Sequence, residues 1–117
     1  MTDRELLELA AKAAGWAKWR AAGDGSFYVS ASPNWNEQFA EWRLWKPLDD
    51  GDEALRLAAL KLMRLDFDRD TGCVHAEYRR NGLVCDASEP LNGSLSRSAA
   101  AKRAIVRALA EIGKAMP

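Results

Sequence analysis

The chain has one histidine, two cysteines and no C-x-x-C pair, so a zinc site of the usual composition is not expected. No apolar run approaches the roughly 20 residues that a membrane-spanning helix needs. Net charge is also missing. Lys+Arg and Asp+Glu stand at 17 each, so no global field points to nucleic acid or a lipid surface, and any electrostatic role falls to local patches. The opening MTDRELLELAAKAAG carries acids early and helical spacing, unlike a secretory leader. A cytoplasmic protein with reduced cysteines is therefore expected. Enzymatic constellations are missing too: there is no G-x-S-x-G, and no nucleophile and base can be paired around His75. The only short glycine loop, Gly23 to Gly25, precedes a strand rather than a helix. No catalytic residue, metal or cofactor is expected, and the enzyme reading ranks last.

What is present fits one α+β domain. A chain of 117 residues, 48% hydrophobic, can bury about two-thirds of its unfolded surface. Thr2 and Glu5 form a capping box, Leu6, Leu9, Ala10 and Ala13 an apolar stripe, and Gly15 a helix stop. Trp16 and Trp19 continue that helix or lie along a connecting segment. Ser26 to Ala31 reads as a strand. Phe39 to Trp45 fits a helical turn or a strand; the strand is preferred, because Pro47 closes it and it can pair with residues 26–31. The chain then crowds acids into DDGDE, Asp49 to Glu53, just after Trp42 and Trp45. Asp50 followed by Glu53 is a capping box, and acids suit the positive end of a helix, so this cluster reads as a helix N-terminus. Leu55, Ala58, Ala59 and Leu62 predict its buried stripe, widened by Leu57 and Leu60, and the indoles are expected to fill the core beside it.

The next three strands carry their own register. Asn81-Gly82 is the strongest short hairpin signal, and a two-residue turn there pairs Tyr78 with Cys85 and Ala76 with Ala87. A similar turn at Thr71-Gly72 predicts Phe67 opposite Ala76 and Leu65 opposite Tyr78. One face then holds Leu65, Phe67, Val74, Ala76, Tyr78, Leu83, Cys85 and Ala87, the core side. Cys85 points inward and Cys73 outward, which rules out a disulfide between them. A final helix runs from about Ser96 to Ala115, with Ala101, Ile105, Ala108, Leu109 and Ile112 buried and Arg103, Arg107, Glu111 and Lys114 wet. The expected order is α-β-β-α-β-β-β-α, an antiparallel sheet with helices packed on one face.

The opposite sheet face predicts a row of Asp66, Glu77 and Asp86, with Asp68, His75 and Ser88 in the next. Like charges directly opposite destabilise a sheet by up to about 1 kcal/mol per pair, so stability alone would not select such a row. Arg64 and Arg79 offset part of the repulsion. A solvated face, a divalent-cation site and a docking surface for a basic partner are the three readings. The window Asp66 to Glu77 has acids at EF-hand positions 1, 3, 5 and 12, but Thr71 stands where that loop needs glycine, and its flanks read as strands.

Three blocks carry a resemblance: Met1 to Gly15, WKPLDDGDEALRL from Trp45 to Leu57, and KRAIVRALAEIG from Lys102 to Gly113. Together they are similar to small uncharacterised proteins of temperate phages and prophages of proteobacteria. The resemblance implies a phage accessory protein, a class that includes inhibitors of host defence such as anti-CRISPR proteins. Many such inhibitors occupy a basic channel with an acidic surface, so the acidic sheet face, Asp66, Asp68, Glu77 and Asp86, would suit a host protein with a basic surface as partner. SRSAAAKRAIVRAL, Ser96 to Leu109, also resembles the last-helix start of double-stranded-RNA-binding domains, with one lysine where that family has a cluster. That second resemblance implies phosphate contacts from Arg97, Lys102 and Arg103.

Overall fold

The computed structural model describes residues 2–31, 41–91 and 96–116. In chain order the elements are α1 (Asp3–Ala14), β1 (Lys18–Ala21), β2 (Phe27–Ser30), β3 (Arg43–Leu44), α2 (Gly51–Leu60), β4 (Arg64–Asp68), β5 (Cys73–Arg80), β6 (Leu83–Pro90) and α3 (Arg97–Ala115). The fold is α+β, but the strands form two three-stranded antiparallel sheets, β1-β2-β3 and β4-β5-β6, instead of one sheet. The additional strand is β1, where Trp16 and Trp19 left helix and connection undecided. Of the ambiguous stretch 39–45, Arg43 and Leu44 are strand and pair with β2 as expected; Phe39 and Ala40 lie outside the described residues.

The helix ends follow side-chain chemistry. Thr2 Oγ1 accepts from the Glu5 N–H, Asp50 Oδ1 from those of Asp52 and Glu53, and Ser96 Oγ from that of Ala99. Gly15 ends α1 in the left-handed region at φ 91°. The residue expected to complete the second capping box does something else. Glu53 reaches across to β3's exit, where the buried Trp45 indole donates to its Oε1 at 2.9 Å, and it also pairs with Arg56. Burial opposes ionisation of Glu53, but the Arg56 and Trp45 donors outweigh it and hold its carboxyl below the ordinary range. One acid and one indole of the crowded segment, Glu53 and Trp45, are thus joined by a hydrogen bond.

α2 is rotated from its expected stripe. Ala54, Leu57 and Ala58 are buried, whereas Leu55 and Leu60 are each 61% exposed and Leu62 87%. The helix has apolar residues on more than one side, and only the arc facing the core is covered. The Leu55–Ala59 edge and Leu60 stay at the surface.

α1 rests on β1 and β2, and α3 on β5 and β6; the two helices then pack on each other and join the halves. Both helices bury small residues, Ala10, Ala11 and Ala13 on α1 and Ala104, Ala108 and Gly113 on α3. At the closest point a Cβ on Gly113 would sit 2.1 Å from the Leu9 carbonyl oxygen, so only glycine fits there. Arg103 and Arg107, expected to be wet, instead turn onto Glu89 of β6. Arg107 lies 2.7 Å and Arg103 3.7 Å from its carboxylate, and Arg103 also reaches Asp3 at 3.0 Å. Glu89 faces the core side of its strand, and these guanidiniums compensate its burial.

In the second sheet the β5–β6 register is the expected one, with Tyr78 opposite Cys85 and Ala76 opposite Ala87. The β4–β5 register is not. Leu65 faces Ala76 and Phe67 faces Val74, a slip of two residues. The reason lies in the turn, which spans Arg69 to Gly72 rather than Thr71-Gly72. Asp68 Oδ1 accepts from the N–H groups of Asp70 and Thr71, the Gly72 N–H donates to the Asp68 carbonyl, and Gly72 adopts φ 68°. An even slip leaves every side chain on its expected face. Val74, Ala76, Cys85 and Ala87 are buried, and both cysteines are free, Cys85 buried and Cys73 half-buried. Burial raises the Cys85 thiol pKa, with Glu111 and Asp86 adding to it.

Candidate functional site

The solvent-facing side of β4–β6 is the surface that the sequence singled out, with its rows redrawn. The slip breaks the three-acid row and places Arg64 beside Glu77, which still lies directly opposite Asp86. Asp66 faces His75, which faces Ser88; Asp68 faces Cys73, which faces Pro90. Arg64, Asp66, His75, Glu77 and Asp86 surround a shallow depression of about 190 Å³.

Each acid has a different environment. Arg79 pairs with Glu77 at 3.3 Å, an exposed contact that contributes little. Asp68 is committed to its own turn. The Asp70 and then the Thr71 N–H groups hold its carboxyl below the ordinary range, assisted by the Thr71 hydroxyl and the nearby His75. Asp66 and Asp86 have no hydrogen bond or ion pair among the described residues, and they stand at opposite sides of the depression. The His75 ring and the Ser88 hydroxyl share a hydrogen bond between them. So Asp66, Glu77 and Asp86 come together, while Asp68 belongs to the turn.

Such an arrangement attracts cations. Among the described residues no group of three or more His, Cys, Asp or Glu side chains is set to hold a metal ion. The EF-hand-like window from Asp66 to Glu77 is a strand, a turn and a strand.

Arg97, Lys102 and Arg103 do not share a surface. Lys102 donates to the Asp49 carbonyl at 3.1 Å, fastening α3 to the approach of α2. Arg103 is held by Asp3 and Glu89. Arg97 lines a separate depression with Phe67, Asp68, Arg69, Gly72 and Leu91. Sequence reasoning missed that depression, because it depends on where α3 begins relative to the β4–β5 turn.

A third cluster also escaped it. Arg20 lies 4.5 Å from the Trp42 ring centroid and 6.0 Å from that of Tyr28, and Lys18 lies 5.4 Å from Trp42. The signal was the i, i+2 spacing of Lys18 and Arg20, which puts both on one face only once β1 is recognised as a strand. Among the described residues no helix is long and apolar enough to cross a membrane. Comparison of the chain with protein-family models, curated proteins and solved structures found no match.

Proposed function

We propose that this is a non-enzymatic binding protein whose acidic β4–β6 face docks on a basic surface of another protein. The observation that supports this reading is the pair of unpartnered carboxylates, Asp66 and Asp86, on either side of Glu77. Setting Glu77 directly opposite Asp86 costs stability, and a bound cationic surface would repay that cost. The resemblance to small phage accessory proteins makes the partner a host protein of the bacterial cytoplasm, and inhibition of a host defence or CRISPR-type protein the consequence of binding.

The test is affinity capture from nuclease-treated host lysate at low and high salt. Asp66→Lys combined with Asp86→Lys is expected to abolish capture of a partner that the parent protein retains at low salt. Because Glu77 loses a like-charged neighbour, the double variant should melt no lower than the parent, which separates lost binding from lost folding. Unchanged capture by this variant, together with loss on Arg97→Glu and Lys102→Glu, would sink the reading and favour a nucleic-acid binder working through the start of α3.

A further inference from the structure

The second depression holds chemistry that the acidic face does not use. It lies at the turn end of β4–β6 and measures about 600 Å³, within the range of small-molecule sites. Phe67 contributes its ring. That residue points to the core side of the sheet, as the wholly buried Val74 and Ala76 do, yet it is 56% exposed. The cause is the placement of α3, which packs on β5 and β6 and leaves the Phe67 end of β4 uncovered. An aromatic ring in that position offers a flat apolar surface at the edge of a cavity.

Arg69 and Arg97 line the same cavity from the turn and from the first residue of α3. Neither has an ion-pair partner among the described residues. The one carboxylate of the lining among the described residues, Asp68, already accepts from the Asp70 and Thr71 N–H groups and so is turned to the backbone. Two guanidiniums without a carboxylate partner suit a phosphate, which they can grip with paired N–H donors. A bare ring beside them suits a base, since every nucleobase presents a stacking face. Leu91 adds an apolar wall.

We infer that this depression binds a nucleoside phosphate, with the base against Phe67 and the phosphate between Arg69 and Arg97. The ligand can be a free mononucleotide or one nucleotide of a single strand, since both present the same ring and phosphate. This site is independent of the acidic face and stands or falls separately from it.

The experiment is an amide-resolved NMR titration of the full chain with AMP, adenosine, inorganic phosphate and a hexa-adenylate. AMP is expected to shift the Arg69, Gly72 and Leu91 amides saturably, and more tightly than adenosine or phosphate alone. Phe67→Ala should weaken AMP by about tenfold, the effect of removing one stacking ring. Arg69→Gln with Arg97→Gln should weaken it by about tenfold or more. Both arginines and Phe67 are exposed, so the variants should keep the parent's melting temperature. A hexa-adenylate that binds tighter than AMP through the same amides identifies a single strand as the source; equal affinity identifies the free nucleotide. No saturable shift with either AMP or the hexamer overturns the inference, as does binding that Phe67→Ala and the double arginine variant leave unchanged.

Discussion

The two halves of the molecule hold the same topology, three antiparallel strands backed by a helix, and treat their charges in opposite ways. In the β1–β3 half, Lys18 and Arg20 lie against the Trp42 and Tyr28 rings, and Lys18 is buried. In the β4–β6 half, Glu77 and Asp86 stand side by side on a solvent-facing surface, and Asp66 and Asp86 have no ion pair among the described residues. A chain with equal numbers of acids and bases can therefore be far from neutral locally. Charge that is absorbed by packing holds a fold together, whereas charge left bare at a cost in repulsion is available for binding.

The sharpest way to break the comparison is to separate the halves. Gly113→Val would push a side chain into the Leu9 backbone at the α1–α3 contact, with an expected loss of about 3 kcal/mol or more. All five tryptophans precede residue 46, so their fluorescence reports the first half, while circular dichroism reports both. In urea the two signals of the parent should fall together; in the variant they should part. Coincident transitions at the parent's midpoint would show that the contact does not couple the halves.

A smaller effect tests the link from β3 to α2. Trp45→Phe keeps a ring beside Phe27 but removes the donor to Glu53, and about 1 kcal/mol should be lost in the same denaturation assay. Without the indole, the Glu53 carboxyl should also titrate nearer its ordinary value, which carboxyl NMR shifts would show.

The smallest effect falls in the second half. Asp68 ionises more readily folded than unfolded, so its contribution is full above its unfolded pKa, near 4, and is lost as pH falls through the lower folded value. Asp68→Asn keeps the turn acceptor without the charge. Its melting temperature should match the parent's once acid has protonated Asp68, and fall slightly behind it as pH rises from the lower folded value to about 4, where the gap is full. A constant gap across that range would mean that the turn does not depend on the carboxylate.

Much of this architecture was legible because short-range chemistry specifies it. Thr2, Asp50 and Ser96 announce helix starts, and Asn81-Gly82 sets the β5–β6 pairing residue by residue. The acidic face was legible for a sturdier reason, since side-chain alternation survives an even slip. The β4–β5 turn misled because Asp68 competes for the chain with its own side chain and lengthens the loop to end at Gly72. α2 misled because leucines on several sides give its pattern more than one solution, and only packing against the core chooses. Phe67, Arg69 and Arg97 are distant in kind and position, and only the placement of α3 relative to β4 assembles them.

The α1–α3 contact also has a consequence in time. Lys12 on α1 donates to the carbonyl of Met116, a partner 104 positions further along the chain. At a synthesis rate of about 5–20 residues per second, α1 waits roughly 5 to 20 s before its companion exists. Through that interval its core face stays uncovered, the Leu6 side chain together with the methyl groups of Ala10, Ala11 and Ala13. The three alanines keep that waiting apolar surface modest, with Leu6 its largest side chain destined for full burial.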